Sequence, residues 1–292
     1  ISLGKVGGNE MTPTSDLDLI FVYRYKENTK LSDTAMSLNP SLYFTRLSQR
    51  FINAITTQTN EGELYSVDMR LRPSGNSGPI ATHFLAFAKY HAQKSWTWEH
   101  MALSRARVIS GSRQLKKDVK AIIQKTLVKA RDHTVLRKDV LKMREKIQKA
   151  NPTNVIWNVK YIRGGLLDIE FIVQYLQLKH ASDYPFILST NTEQVLKNLC
   201  KNNILSKDLA KQLIDALNLW QIIQGILRLT LQDNYKLENN LPTPIENLIL
   251  NATNISNKRN LEHKIKTVSK IAFKIYRGIF VDETITNLRV RG

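Results

Sequence analysis

The stretch GKVGGNEMTPTSDLDLIFVYRY, residues 4–25, constrains the chain more than any other. Three glycines precede a polar segment, then Asp16-Leu17-Asp18, then an apolar run. The run is rich in aromatic and β-branched residues, which predicts a strand. Side chains alternate along a strand, so Asp16 and Asp18 share one face, about 7 Å apart. Leu17, Leu19 and Phe21 then point the other way, into a core. A buried carboxylate is costly unless positive charge compensates it. Two carboxylates on one face can share a pair of divalent cations about 3.5–4 Å apart. Hard oxygen ligands suit Mg²⁺, which completes its shell with water and substrate phosphates. The plainer alternative is two solvated aspartates in a strand-entry turn.

A second segment, YSVDMRLRP at residues 65–73, returns to period two. Ser66, Asp68, Arg70 and Arg72 then fall on one face, and Tyr65, Val67, Met69 and Leu71 on the other. Asp68 is placed to complete a metal triad with Asp16 and Asp18. Arg70 and Arg72 are placed to contact phosphate oxygens, unless the strand carries only a salt-bridge ladder. Gly4, Gly7 and Gly8 let the backbone approach a ligand and expose N–H groups to a phosphate. Neither the P-loop pattern nor the dinucleotide fingerprint is present.

Of the 292 residues, 43 are basic and 25 acidic, a formal net charge of +18. Such an excess favours nucleic acid, nucleotides or an acidic protein surface as partner, although abundant solvated lysine can produce it without one. The one cysteine, Cys200, has no internal disulfide partner and is expected as a small core residue. No Cys/His cluster has zinc spacing. No apolar run reaches transmembrane length, and a soluble, cytoplasmic protein is the expectation. The chain opens on Ile1, already in a strand-like segment, as a piece of a longer polypeptide would.

Two domains are expected, 1–111 and 112–292. The first mixes strand signals with helices, including LYFTRLSQRFINAI, where Leu42, Leu47, Phe51 and Ile55 recur at helical spacing. After Gly111 almost every segment has helical period, with helices over about 114–130, 134–149, 165–181, 191–201, 206–232 and 259–280. Asn191-Thr192 and Ser206 supply start signals.

Gly7-Gly8, Asp16-x-Asp18 and Asp68 resemble the nucleotidyltransferase signature of the DNA polymerase β-like superfamily. Four longer segments narrow the resemblance: GKVGGNEMTPTSDLDLIFVY, VDMRLRPSGNSGP, SWTWEHMALSRARVISG and GGLLDIEFIVQYLQL, in that order. Together they resemble the bacterial glutamine-synthetase adenylyltransferase family, over most of the chain to about residue 181 and more weakly beyond. The resemblance implies an α+β fold: a polymerase β-like domain with a mixed sheet, followed by an all-α helical bundle. It implies transfer of AMP from ATP to a tyrosine hydroxyl of glutamine synthetase, with Mg²⁺ held by Asp16, Asp18 and Asp68. It places Lys5, Gly7, Gly8, Ser15, Arg70, Arg72, Glu99, Arg105 and Arg107 around the nucleotide, and makes the PII signal protein a regulatory partner. The family carries two related halves, one adding AMP and one removing it by phosphorolysis. SWTWEHMALSRARV is closer to the adding half. Rivals are the removing half, an RNA nucleotidyltransferase, and a non-catalytic basic RNA-binding or regulatory module.

The remaining features have plainer readings. If residues 96–108 are one helix, Glu99, Leu103 and Arg107 stack at i, i+4 and i+8, and an internal salt bridge is as good a reading as an active-site wall. Trp96 and Trp98 are expected to pack. Asp168 falls in the first turn of a helix, where a negative charge suits the dipole. Arg163 and Gly164-Gly165 are an alternative contact to the nucleotide.

Overall fold

A computed structural model describes residues 1–26, 28–33, 37–231, 237–238 and 240–282. The fold is α+β, and it divides between Lys129 and Ala130 into two compact units. The last residue of the expected 206–232 helix lies outside the described residues.

In the first unit the chain enters as an extended segment and a one-turn helix, α1 (Gly4–Gly8). Two short strands follow, β1 (Leu17–Asp18) and β2 (Phe21–Tyr23). Helix α2 (Pro40–Thr56) starts on Asn39, whose side chain accepts a hydrogen bond from Leu42 N, with Pro40 at the first helical position. Then come β3 (Val67–Asp68), β4 (Ala81–His83), α3 (Phe84–Gln93), α4 (Thr97–Leu103) and α5 (Arg113–Leu127). β1 pairs in parallel with β3, and β2 in parallel with β4. Antiparallel bridges join Ser2 to Leu19 and to Arg107, so both pairing senses occur.

Leu19 and Ile20 are both buried, while Leu17 and Phe21 are half-buried. Strict alternation therefore breaks at residues 19–20. Ile20 N bonds back to the Ile1 carbonyl and Leu19 N to the Asp68 carbonyl, so the run is enclosed from both edges. The core also takes in Leu3, Ala81, Phe87, Met101 and Leu103. The helical stripe on α2 behaves differently from a core face: Leu42, Leu47 and Phe51 are exposed, although Phe51 meets Phe21 edge-on at 5.5 Å.

α5 packs against α3 and α4, and Arg24 ties it to β2's end through an ion pair to Asp118 at 2.5 Å. The sequence boundary at residue 111 falls before this helix; the compact units divide after it.

The second unit is helical: α6 (His133–Ala150), α7 (Leu166–His180), α8 (Thr192–Lys201), α9 (Lys207–Thr230), α10 (Thr243–Thr253) and α11 (Lys258–Phe280). Asn191 and Ser206 cap α8 and α9 as expected, accepting from Gln194 N and Leu209 N. α7 is apolar nearly all round and packs against α6, α8, α9 and α11, as a central helix must. Trp157 and Trp220 are fully buried, and Cys200 is half-buried. α10 has no counterpart among the sequence-expected helices. Two prolines, at 242 and 244, break its apolar pattern, yet Pro244 sits where a first turn accepts it.

Asp168 does more than meet a helix dipole. It is fully buried, accepting from Arg144 Nε at 2.6 Å and from Gly164 N at 2.6 Å. Trp220 Nε1 donates to the Gly164 carbonyl and Ser269 Oγ to the Arg163 carbonyl. The Arg163-Gly164-Gly165 turn is thus built into the core of this unit. No helix among the described residues is long and apolar enough to cross a membrane.

Candidate active site

Parallel pairing of β1 with β3 makes Asp18 and Asp68 register partners. In-register side chains on adjacent parallel strands project from the same face of the sheet. Asp16 precedes β1 and is exposed. Burial raises the Asp18 pKa to about 6, and the neighbouring charges of Asp68 and Asp16 push it the same way; Arg70 and Arg105 oppose them. Asp68 behaves oppositely. Hydrogen bonds from Arg70 hold its carboxyl below the usual carboxylate range: Arg70 Nε lies 2.9 Å and Nη2 2.5 Å from Oδ2, and Arg70 N 2.8 Å from Oδ1. The same contacts raise the Arg70 guanidinium pKa.

β3 ends at Asp68, and the chain then turns. Arg70 and Arg72 therefore do not continue a strand face with Asp68. Arg70 folds back onto Asp68 with its side chain 75% exposed. Arg72 ties the turn together instead, donating from Nη1 to the Met69 carbonyl at 2.8 Å and from Nε to the Gly78 carbonyl at 3.2 Å. The PSGNSG sequence at 73–78, with Ser74 and Gly75 in the left-handed region, accounts for the turn.

α1 lies over β1. Gly4 has φ +52°, and a Cβ there would stand 2.1 Å from Asp18 Oδ2. Only glycine lets this backbone close over the carboxylate. At Gly7 a Cβ would stand 1.8 Å from the Arg105 carbonyl oxygen. Close packing of α1 against residues 105–107 thus accounts for glycine at this position, and Gly7 N already donates to the Leu3 carbonyl. Gly8 is buried in the same turn. Lys5 Nζ donates to Thr12 Oγ1 at 3.1 Å, and Ser15 Oγ accepts from Thr12 N at 3.1 Å, so both help to fold the 9–15 segment.

The 96–108 segment is not one helix. α4 ends at Leu103, and Arg107 bridges to Ser2 in extended conformation. Glu99 makes no pair with Arg107. It accepts from Trp96 N and from the Tyr90 hydroxyl, each at 2.8 Å, and fixes the start of α4. Trp96 itself is 70% exposed. Arg105 and Arg107 both serve α1: Arg105 Nε donates to the Gly4 carbonyl at 3.0 Å, and Arg107 Nη2 to the Val6 carbonyl at 2.7 Å. Arg105 also pairs with Glu10 in a nearly buried ion pair. Glu10 was not singled out in the sequence, where it is one acid in a polar segment; its partner lies 95 residues away.

Among the described residues no three His, Cys, Asp or Glu side chains are grouped so as to hold a metal ion. Asp18 and Asp68 alone offer hard oxygen donors of the kind a divalent cation takes. Asp18 and Asp68 share a face, Asp16 is close enough to perturb Asp18, and the mutual repulsion leaves negative charge that a cation would neutralise.

The chain is similar to known proteins along most of its length. Residues 1–122 match the family model for glutamate-ammonia ligase adenylyltransferase, and residues 119–271 that for GlnD PII-uridylyltransferase. The second match extends well past residue 181. Several curated proteins named bifunctional glutamine synthetase adenylyltransferase/adenylyl-removing enzyme are similar. That of Bradyrhizobium diazoefficiens is 40% identical over 279 residues, covering 96% of this chain and 28% of that protein. That of Rhizobium meliloti is 41% identical over 283 residues, with the same coverage. That of Rhodopseudomonas palustris strain TIE-1 is 44% identical over 235 residues, covering 80% of this chain and 24% of that protein. The chain spans about a quarter of the length of these relatives. With 40–44% identity to these relatives over most of its length, the chain belongs to the family of glutamine synthetase adenylyltransferase/adenylyl-removing enzymes.

Proposed function

We propose that this chain is one nucleotidyltransferase half of such an enzyme, with a polymerase β-like catalytic domain followed by a helical bundle. It transfers AMP from ATP to a tyrosine hydroxyl of glutamine synthetase. The observation that carries the reading is the register pairing of Asp18 with Asp68 beneath the glycine-bearing turn α1. Asp16, Asp18 and Asp68 are the residues that would hold Mg²⁺. When bound, the metal would supply neutralisation of the phosphate charge. Asp68, kept ionised by Arg70, orients the attacking hydroxyl. The hydroxyl proton passes to the Asp68 carboxylate, the new bond joins the tyrosine oxygen to the α-phosphorus, the bond to the bridging oxygen breaks, and pyrophosphate leaves. Arg70, mostly exposed beside Asp68, is the guanidinium within reach of the triphosphate. Lys5, Gly7, Gly8, Ser15, Glu99, Arg105 and Arg107 shape the wall around it by positioning α1 and α4. Arg72 holds the adjoining turn.

The direction of transfer rests on the likeness of SWTWEHMALSRARV to the adding half. Three parallel reactions test it: glutamine synthetase with ATP, AMP-modified glutamine synthetase with phosphate, and short RNA with ATP. AMP incorporation in the first supports the proposal. Product only in the second makes this the removing half. Product only in the third overturns the protein substrate. PII is a further proposed partner, on family grounds alone.

A further inference from the structure

The core side of α11 is Leu261, Ile265, Ala272, Ile275, Tyr276 and Ile279, all buried. The opposite side is drawn by Arg259, His263, Lys266, Lys270, Lys274 and Arg277, all exposed. At 3.6 residues per turn these positions fall in a sector about 80° wide and run about 27 Å along the axis. No acidic residue interrupts them. On α8 and α9 exposed lysines pair with acids one turn away: Glu193 with Lys197 and Lys211 with Asp215, each at 2.6 Å. On α11 like charges stand four residues apart, an arrangement that weakens a helix by itself. Ion pairs reach Lys266, from Glu262 at 3.9 Å, and Arg277, from Asp282 at 3.4 Å. Arg259, Lys270 and Lys274 have no ion-pair partner among the described residues.

We propose that this face of α11 docks an acidic helix of a partner protein. The charge is complementary, and the spacing fits. Lys266, Lys270 and Lys274 rise about 6 Å from one to the next, the interval of carboxylates at i and i+4 on a facing helix. A membrane does not suit the face, because the apolar side of α11 is already spent in the core. Single-stranded nucleic acid calls for stacking aromatics, and the stripe has none. The inference is independent of the catalytic reading, since no active-site residue lies on α11.

The test is fluorescence anisotropy with a labelled synthetic helical peptide bearing glutamate at every fourth position, and in parallel a labelled RNA hairpin. Three proteins are compared: the unaltered chain, K266E/K270E/K274E, and K201E/K207E/K211E, which makes the same charge change on α8 and α9. Docking on α11 predicts peptide binding that weakens about tenfold or more in the first variant and about twofold or less in the second. K266Q/K270Q/K274Q, which adds no repulsion, should show an intermediate loss, with thermal unfolding confirming that each variant is folded. Equal losses in both charge-reversal variants would assign binding to net charge and overturn the proposal. So would the absence of peptide binding to the unaltered chain, or RNA binding that depends on the stripe while peptide binding does not.

Discussion

Asp18 and Asp68 face each other across one rung of a parallel ladder, and their environments drive their ionisation apart. Burial and two neighbouring carboxylates raise Asp18 to about 6, whereas the Arg70 fork keeps Asp68 ionised. One carboxylate is poised to gain from a cation, and the other is already satisfied by a guanidinium that substrate phosphates can compete for.

Arg70 and Arg72, adjacent in sequence, should separate in experiment. Arg70→Ala removes a charge-assisted phosphate contact worth on the order of 1.5–3 kcal/mol and should raise the KM for ATP accordingly. Arg72→Ala should instead loosen the 69–78 turn, lowering thermal stability, because its donors serve the Met69, Asn76 and Gly78 carbonyls. Unchanged ATP kinetics in Arg70→Ala would leave Arg70 as a salt-bridge partner alone.

The Glu10–Arg105 pair fixes α1 over Asp18. Both side chains are less than 10% exposed. Arg105→Met takes the guanidinium away from Glu10 in a nearly dry site and should cost about 3 kcal/mol, read as a shift in denaturant unfolding of the first unit. Arg105→Lys keeps the charge but loses the fork, and should recover part of that stability. Equal stability of Arg105→Met and the unaltered chain would show that the pair does not hold this turn.

Arg144 and Asp168 form the corresponding pair of the second unit, both fully buried. Asp168→Asn leaves the guanidinium without its counter-charge and should destabilise that unit by about 3–5 kcal/mol. Arg144→Met with Asp168→Leu together should cost far less than either single change. A double variant as unstable as the singles would contradict an electrostatic origin.

His91 on α3 should make the protein acid-sensitive. Its ring is buried with neither nitrogen hydrogen-bonded, and burial, with the charge of His100, lowers its pKa from 6.5 to about 4. The unfolded chain therefore binds the proton that the folded chain refuses between those values. Stability from this group is complete above pH 6.5 and is lost as pH falls towards 4, by about 3 kcal/mol. His91→Phe should flatten that part of the pH–stability curve while changing stability at pH 7 little, because it removes two orphaned polar atoms. An unaltered acid limb in His91→Phe would refute the assignment.

Local patterns carried much of this structure. The caps at Asn191 and Ser206 and the long apolar helices were legible because each depends on neighbours in sequence. What escaped depends on distance or on chain reversal. The 73–78 turn stops β3 at Asp68 and takes Arg72 off the expected face. Glu10 acquires its meaning only from Arg105, and Gly7 only from the carbonyl packed against it. Arg107 lies four residues past the end of α4 and pairs with Ser2 as extended chain. The α2 stripe of Leu42, Leu47 and Phe51 has core periodicity but stays exposed, because periodicity gives a face and not what covers it.

The most direct test of the catalytic reading is the rate of AMP incorporation into glutamine synthetase with ATP and Mg²⁺, measured for the unaltered chain, Asp18→Asn and Asp68→Asn. Thermal unfolding alongside confirms that both variants are folded. Asp18→Asn removes a repulsive buried charge, so that variant should be no less stable than the parent. The account predicts a loss of transfer by orders of magnitude in each folded variant. Transfer at near-parental rate in either one would contradict it.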